Sequence, residues 1–273
     1  MNKINLNDIN LQAFKKTKYQ GSNSTVYENK DICIKILNGL YPNEKEILYN
    51  KFIDMENIKI DGVLLPIDLI MKDNTLYGYT MHNFKNSTTL NIFFTRNRFT
   101  NCSDIFKAIK KASIILKNIH NNGIIYKDLS FDNILIDKND NIMFSDIDSC
   151  CYKNYNSPFT SYLLMNFINN YRKESINISE NLDRISMIIS MFYLIYQKEI
   201  QKISQKEYNF LSNFLNTLEN SKIYINALLN KNEPIPTIPY LDELIDDYDD
   251  YIIDRNKQIP FKRLVLNIME YYK

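Results

Sequence analysis

Two short apolar segments separated by a polar turn constrain the fold of this 273-residue chain more than any other feature of its sequence. The segments are Ile134–Ile136 and Ile142–Phe144, and the turn between them is Asp137–Asp140. Apolar runs of this length, joined by a turn rich in Asp and Asn, predict a β-hairpin. The predicted hairpin carries polar residues at both flanks.

The first third of the chain is predicted to be a sheet with one inserted helix. Apolar and polar residues alternate around Thr25–Tyr27 and Asp31–Leu37, with many β-branched residues, which is typical of strands. From Pro42–Ile53 the apolar residues fall at helical spacing, and proline suits a helix start. Further strands are predicted at Gly62–Leu69 and Leu76–His82.

The rest of the chain is predicted to be mainly helical. Ser103 can cap a helix with one apolar stripe that ends near Asn121. Leu182–Tyr196 is apolar on nearly all sides, which predicts a buried central helix. The acidic stretch Asp242–Asp254 is interpreted as a solvated surface loop, with docking of basic partners as the alternative. A last helix is predicted from about Pro260.

Composition excludes several classes of protein. The chain is 45% hydrophobic and 24% charged, with 33 basic and 32 acidic residues, so neither disorder nor nucleic-acid binding is expected. The longest apolar run, Met187–Tyr196, is too short to span a bilayer, so no membrane association is expected. Four cysteines without paired CxxC spacing indicate a reducing compartment. We therefore expect a cytoplasmic protein.

The segment Ile124–Ile136, which reads IIYKDLSFDNILI, resembles the catalytic loop HRDxxxxN of the protein kinases. The resemblance implies that Asp128 is the catalytic base and that Asn133 binds Mg²⁺ through its side-chain oxygen. Asp146 stands where the DFG aspartate of the family binds the metal, and the intervening hairpin has the family's length. Apart from the family, Asp128 could be a turn residue and Asp146 a solvated strand end.

The strand Cys33-Ile-Lys35 resembles the VAIK strand of the same family, whose lysine binds the α- and β-phosphates of ATP. A lysine between apolar neighbours must be paired, and the resemblance implies Glu44 on the following helix as the partner. The interval from Lys35 to Glu44 is shorter than usual in the family, so Glu46 is the alternative. Without the catalytic loop, a surface ion pair would explain such residues equally well.

Two further segments resemble the nucleotide-binding parts of a kinase. Tyr19–Val26 aligns with the phosphate-covering GxGxxGxV loop but keeps only one glycine, so other backbone N–H groups would bind phosphate and Val26 would pack on the adenine. Tyr79–Asn83 resembles the hinge that binds the adenine edge, with Met81 or Thr80 as gatekeeper. The resemblance places these residues around the nucleotide: Gly21, Ser22, Asn23, Ser24, Val26, Cys33, Lys35, Glu44, Met81, His82 and Asn83.

Two downstream residues resemble structural supports of the family. Asp183, near the start of the predicted central helix, resembles the aspartate that bonds the catalytic-loop backbone. His120 resembles a histidine that ends the preceding helix. Neither is expected to take part in the chemistry.

Several positions depart from the family pattern. The catalytic-loop lysine of Ser/Thr kinases is Ser130 here, which we include in the catalytic set with Asp128 and Lys35. The missing charge near the γ-phosphate predicts slow turnover or an unusual acceptor. DFG has become Asp146-Ile-Asp148, and Asp148 is interpreted as a turn residue and not as a third metal ligand. No APE motif is present.

Together these motifs imply an α+β, bilobal protein-kinase-like fold. The small N-terminal lobe, an antiparallel sheet with one helix, would occupy 1–83, and the larger, mainly helical lobe 84–273. The implied function is ATP-dependent phosphoryl transfer by a Ser/Thr protein kinase that uses ATP and Mg²⁺, or Mn²⁺, on a protein substrate. Two alternatives stay open: a small-molecule kinase similar to the choline and aminoglycoside phosphotransferases, and a pseudokinase that binds partners without catalysis.

Overall fold

The computed structural model of the protein describes residues 1–21, 24–157, 160–173, 177–204, 206, 219–244, 251–254 and 259–262. The α-helices are α1 Pro42–Asp54, α2 Leu90–Thr95, α3 Cys102–Asn121, α4 Tyr162–Asn166, α5 Glu180–Tyr196, α6 Glu219–Leu229 and α7 Leu241–Leu244. The strands are β1 Asn2–Asn5, β2 Lys15–Gly21, β3 Ser24–Glu28, β4 Ile32–Leu37, β5 Asp68–Lys72, β6 Thr75–His82, β7 Thr88–Thr89, β8 Phe99–Asn101, β9 Ile124–Ile125, β10 Ile134–Ile136, β11 Ile142–Phe144, β12 Cys151–Tyr152, β13 Tyr251–Asp254 and β14 Ile259–Lys262. Short 3-10 helices lie at Leu6–Asp8, Leu11–Ala13, Ile147–Ser149 and Ile200–Lys202, and a π-helix continues α4 over Phe167–Arg172.

The N-terminal part forms a six-stranded sheet in the order β1-β5-β6-β4-β3-β2, antiparallel except for the β1–β5 pair. Lys35 on β4 lies between Val26 on β3 and Tyr79 on β6, and Cys33 lies opposite Met81. Directly opposed residues of antiparallel strands project to the same face, and so do alternate residues of one strand. These five side chains therefore share one face of the sheet.

Both faces of this sheet are covered by apolar residues. On the face opposite Lys35, three buried isoleucines of the strands pack against one another. They are covered partly by the N-terminal segment, and the whole cluster comprises Ile34, Ile36, Ile70, Leu6, Ile9, Leu11, Phe14, Tyr27 and Tyr77. Coverage on both sides explains why β4 is apolar at successive positions instead of strictly alternating.

Helix α1 lies on the Lys35 face of the sheet. The buried ring of Phe52 meets that of Tyr79 edge-on, with ring centroids 5.1 Å apart. The buried positions of α1 are Leu48, Lys51 and Phe52, which follow the i, i+3, i+4 spacing of one helix face. A charged residue, Lys51, thus lies on the buried side of the helix.

The helices that follow share one apolar core with this face of the sheet. Helix α3 buries a single stripe, whereas α5 is buried on nearly all sides, as its sequence predicted. Asp183 and Ser190 are polar residues inside the buried part of α5, with 0% and 3% of their surface exposed. Buried polar side chains of this kind need hydrogen-bond partners or a ligand.

The predicted hairpin is confirmed, since β10 and β11 pair antiparallel over the predicted residues. The prediction of a strand over Gly62–Leu69 is wrong for most of its length: Val63 forms only an isolated bridge, and β5 begins at Asp68. The predicted cap Ser103 is also displaced, because Asn101 precedes the first turn of α3.

The predicted C-terminal helix is wrong where the structure can test it. Residues Ile259–Lys262 form β14, which pairs with β13, and β13 pairs in turn with β8. Within the acidic stretch, α7 and β13 are ordered elements, and Ile253 is fully buried. Residues 245–250 and 263–273 lie outside the described part of the chain. The long-range pairing of β13 with β8 extends this hairpin into a three-stranded sheet, which overrides the local helical pattern.

The chain is a mixed α+β protein with a multistranded sheet and several helices, which is compatible with a kinase-like fold. In the described ranges, no helix combines the length and the apolarity needed to cross a membrane.

Candidate functional site

The β10–β11 hairpin places Asn133 and Asp146 at the same end of its two strands. The N–H and the Oγ of Ser145 each donate to the carbonyl of Asn133 at 3.0 Å. The side-chain amide of Asn133 donates to the carbonyl of Asp128 at 2.8 Å. The structure thus brings Asp128, Asn133 and Asp146 together.

A buried aspartate on α5 holds the backbone of the loop that carries Asp128. The two carboxylate oxygens of Asp183 accept the N–H groups of Tyr126 at 2.6 Å and Lys127 at 2.7 Å. His120 contacts the same carboxylate through Nε2 at 2.9 Å and Tyr240 Oη through Nδ1 at 2.8 Å. Lys127 has a φ of 61°, so this anchoring stabilises a left-handed residue next to Asp128. The prediction that Asp183 supports the loop is confirmed.

The environment of Asp128 suits a proton acceptor. Burial, together with the negative charge of Asp146, raises its pKa to about 6, although the hydrogen bond from Asn133 acts in the opposite direction. A carboxyl group with this pKa is mainly ionised at neutral pH and can take a proton from a bound hydroxyl.

Lys35 brings a buried positive charge to this cluster. Its ammonium is 3.0 Å from Asp146 Oδ1 and 2.7 Å from Asp148 Oδ1, and only 3% of its side chain is exposed. Burial would lower the pKa of Lys35, but the carboxylates of Asp148 and Asp146 raise it above its ordinary value. Lys35 is therefore a permanent cation at this site.

The strand that carries Lys35 is approached closely by a glycine. Gly78 on β6 pairs with Ile36, and a Cβ atom at Gly78 would lie 2.3 Å from the carbonyl oxygen of Lys35. Any larger residue would therefore displace the backbone at Lys35. No motif in the sequence marks this glycine.

Asp148 has contacts that the sequence did not predict. It lies in a 3-10 turn, as a turn residue should, but its Oδ1 also accepts the hydroxyl of Tyr79 at 2.8 Å as well as the ammonium of Lys35. Lys51 of α1 donates to the carbonyls of Asp148 and Cys150, each at 2.8 Å. Burial favours the neutral acid, yet Lys35, the Tyr79 hydroxyl and Lys51 hold the pKa of Asp148 below its usual value.

The predicted ion pair between Lys35 and Glu44 is replaced by the pairs with Asp146 and Asp148. Glu44 lies in the first turn of α1, where its Oε2 accepts the N–H of Tyr41 at 2.8 Å. Carboxylates are stabilised there by free N–H groups of the helix start. The alternative partner, Glu46, is exposed.

Lys51 and Tyr79 were not among the predicted site residues. The sequence did contain an indication for Lys51, because its spacing from Leu48 and Phe52 places a lysine on the apolar face of the predicted helix. Tyr79 begins the segment that resembles the hinge, but nothing local indicated a role for its hydroxyl.

Most of the described residues that were predicted to surround a nucleotide lie on neighbouring strands, whereas Glu44 lies on α1. Val26, Cys33 and Met81 share the sheet face of Lys35. Gly21 ends β2 and pairs with Ser24, which begins β3. The intervening Ser22 and Asn23 lie outside the described residues.

At the predicted hinge, β6 ends with the exposed His82. The N–H of Asn83 already donates to the carbonyl of Asp31 at 2.9 Å, so in this structure that group is engaged within the protein. Thr80, the alternative gatekeeper, is buried, and its Oγ1 accepts the N–H of Asp68 at 3.0 Å.

A cavity of about 430 Å³ adjoins the loop. It is lined by the loop residues Asp128, Ser130, Phe131, Asp132 and Asn133 and by residues of four other segments: Asn91, Ser161, Tyr162, Leu163, Ser190, Tyr193, Leu194 and Glu199. The buried atoms Ser190 Oγ and Asn91 Oδ1 have no hydrogen-bond partner among the described residues. Both residues line the cavity, and polar groups without partners beside a cavity are candidates to bind a polar ligand.

The oxygen donors of the site are of the kind that hard divalent cations prefer. Asp146 offers a carboxylate that is 39% exposed, and Asn133 offers the Oδ1 that its bond to Asp128 does not use. Within the described ranges, no three His, Cys, Asp or Glu side chains are grouped to hold a metal by themselves. A Mg²⁺ or Mn²⁺ ion here would therefore need further ligands from a nucleotide or water.

Comparison with known proteins points to the kinases. No protein-family model matches the chain. A stretch of 133 residues is 25% identical to the serine/threonine-protein kinase STE20 of Yarrowia lipolytica (strain CLIB 122 / E 150). The match covers 48% of this chain and 12% of that kinase, so the chain spans a small part of its relative. The similarity indicates a kinase-like relationship.

Proposed function

We propose that this protein is an ATP-dependent phosphotransferase with two lobes, 1–83 and 84–273, that phosphorylates Ser or Thr hydroxyls of a protein. The observation that carries the proposal is the 3.0 Å contact between Lys35 on the sheet and Asp146 on the hairpin, beside Asp128 and Asn133. Phosphoryl transfer needs this combination of a cation, metal-binding oxygens and a base. The similarity to a Ser/Thr kinase supports the same proposal.

Each residue has a role that its surroundings favour. Lys35 would bind the α- and β-phosphates of ATP, and the shared sheet face with Val26 and Met81 would cover the adenine. Asp146 and Asn133 would hold Mg²⁺, which neutralises charge on the phosphates when bound.

The chemical step assigned to the chain is a proton transfer. The acceptor oxygen forms a bond to the γ-phosphorus, the bond to the leaving ADP oxygen breaks, and Asp128 takes the hydroxyl proton. The raised pKa of Asp128 makes it a better base than an exposed carboxylate while leaving it mainly ionised at pH 7. Ser130 cannot supply the positive charge of the usual lysine, so we expect slow turnover.

The cavity beside Asp128 favours a second candidate, a small-molecule kinase. Its volume of about 430 Å³ is in the range of small-ligand sites. The unsatisfied Ser190 Oγ would bind a polar group of a hydroxyl-bearing acceptor. A protein acceptor would instead place one side chain in the same cavity.

The test is an ATP-turnover assay on purified protein with γ-labelled ATP, with Mg²⁺ or with EDTA. A cell lysate and a metabolite panel serve as parallel acceptors, and mass spectrometry identifies the product. Asp146→Asn should reduce turnover by at least about a hundredfold. Asp140→Asn, in the exposed hairpin turn, removes the same charge and is the matched control.

Labelled proteins support the protein-kinase proposal, and a labelled metabolite supports the second candidate. If magnesium-dependent nucleotide binding occurs without any transfer, and Asp128→Ala leaves biological activity intact, a pseudokinase replaces both. Wild-type protein that neither binds nor hydrolyses ATP would refute the proposed function.

A further inference from the structure

We propose that Asp148 is the positioning residue of Lys35, and that it takes the place of the helix glutamate that kinase-like chains use. The inference rests on the proposed function, because the position of Lys35 matters for binding the phosphates of ATP. Asp148 itself touches neither nucleotide nor acceptor in this assignment. It acts through Lys35.

The contacts of Asp148 form a complete anchor. Its Oδ1 accepts the Lys35 ammonium at 2.7 Å and the Tyr79 hydroxyl at 2.8 Å. Lys35 and Tyr79 are directly opposed on β4 and β6, so one carboxylate oxygen ties two adjacent strands to the 3-10 turn. The Asp148 side chain is only 13% exposed, and a buried ion pair with an added hydrogen bond fixes geometry more firmly than an exposed one.

Helix α1 contributes a cation to this anchor. The cation is Lys51, which is only 3% exposed. Its ammonium donates to the carbonyls of Asp148 and Cys150. Glu44 lines a small cavity together with Lys51 and Asp148, but its carboxylate accepts the N–H of Tyr41. The helix therefore holds the backbone of the turn, and the turn supplies the carboxylate.

This arrangement couples two parts of the candidate site. Asp148 and the metal-binding candidate Asp146 are two residues apart in one turn, and both contact the Lys35 ammonium. A shift of the turn would therefore move the metal-binding oxygen and the phosphate-binding cation together. In the arrangement implied by the family resemblance, the lysine partner would lie on a separate helix.

The experiment compares Asp148→Asn, Glu44→Gln and the control Asp140→Asn, with and without Lys35→Met. The affinity for a fluorescent ATP analogue, the KM for ATP and kcat are measured at a temperature at which circular dichroism shows every variant folded. Asp148→Asn should raise the Kd and KM at least about tenfold, more than Glu44→Gln, while Asp140→Asn stays within about twofold of wild type. In the Lys35→Met background, Asp148→Asn should add almost nothing, because the residue acts through Lys35.

Tyr79→Phe provides a second variant if Asp148→Asn does not fold. It removes the hydroxyl that orients Asp148 and keeps the ring in the core, so the KM should rise about threefold, and only when Lys35 is present.

The inference is overturned if wild type binds and turns over ATP while Asp148→Asn and Tyr79→Phe match it. Additive effects of Lys35→Met and Asp148→Asn would also overturn it, as would a larger loss in Glu44→Gln. A wild type that binds no nucleotide is a different result, since it overturns the proposed function itself.

Discussion

The ammonium of Lys35 lies 3.0 Å from the carboxylate of Asp146, although 111 residues separate the two in the chain. Lys35 comes from β4, one of the two central strands of the six-stranded sheet, and Asp146 follows the end of the β10–β11 hairpin. A contact of this kind requires both parts to fold around one core. The contact pairs the buried cation of Lys35 with the carboxylate of Asp146, whose side chain is 39% exposed.

Lys35→Met tests this contact. The substitution keeps the apolar stem but leaves the buried Asp148 without its ion partner, so the unfolding free energy at pH 7 should fall by about 3 kcal/mol. ATP turnover should fall by at least about a hundredfold. Urea unfolding and the turnover assay measure the two effects. The exposed Lys30→Met is the control, and equal losses in both variants would contradict the role of Lys35.

Asp128→Asn should stabilise the metal-free protein at alkaline pH. The pKa of Asp128 is raised to about 6 by burial and by Asp146, so the folded state disfavours its ionised form. The penalty is present above pH 6, where the carboxylate is ionised in both states, and declines as the pH falls toward 4, where the folded state is protonated. Removing this penalty should raise the unfolding free energy at pH 8 by about 3 kcal/mol.

The measurement is urea unfolding in EDTA at pH 8 and at pH 4.5. The gain at pH 8 should be the larger of the two. The same variant should lose ATP turnover, which would separate stability from function at one residue. A destabilisation of Asp128→Asn at pH 8 would show that the carboxylate is favourably bound.

Asp183→Asn should loosen the loop that carries Asp128. The carboxylate of Asp183 is fully buried and accepts the N–H groups of Tyr126 and Lys127. The side-chain NH₂ of asparagine would face one of these N–H groups, so two donors would meet and that hydrogen bond would be lost. The expected loss of unfolding free energy is about 2–3 kcal/mol. Ser186→Ala on the same helix removes one hydrogen bond, to Leu182, and is the control. A loss no larger than that of the control would contradict the anchoring role.

Local patterns predicted much of the candidate site. The hairpin and the separation of Asn133 from Asp146 depend on residues close in sequence, whose hydrogen bonds follow from strand and turn preferences. The role of Asp183 was predicted from resemblance alone and is confirmed by its contacts.

The remaining features of the site and fold depend on contacts between residues far apart in the sequence, which local patterns do not predict. The partner of Lys35 was predicted as Glu44 because it resembles the helix glutamate of the family, but the start of α1 at Pro42 places Glu44 at a helix terminus. The observed partner, Asp148, lies in a turn more than a hundred residues further along the chain, so no local pattern could connect it with Lys35. The strand at Ile259–Lys262 was likewise missed, because it is the outer strand of a hairpin whose inner strand, β13, pairs with the distant β8.

Ser190→Leu should separate acceptor binding from nucleotide binding. Ser190 is 3% exposed on α5, lines the cavity beside Asp128, and its Oγ has no partner in the described part of the chain. A leucine would fill part of the cavity and leave the Lys35 face of the sheet unchanged. We therefore expect phosphorylation of the acceptor to fall by at least about tenfold, with the affinity for an ATP analogue within about twofold of wild type.

Ser190→Ala is the matched variant, because it removes the hydroxyl without filling the space. If the hydroxyl itself binds the acceptor, alanine should raise the KM for the acceptor by about three- to tenfold, whereas kcat at saturation changes little. Steady-state kinetics with the acceptor found in the turnover assay measure both variants, and circular dichroism confirms that each is folded. If Ser190→Leu shows normal acceptor kinetics, the acceptor binds elsewhere. An acceptor that occupied the cavity beside Asp128 would lose affinity when leucine fills part of that cavity.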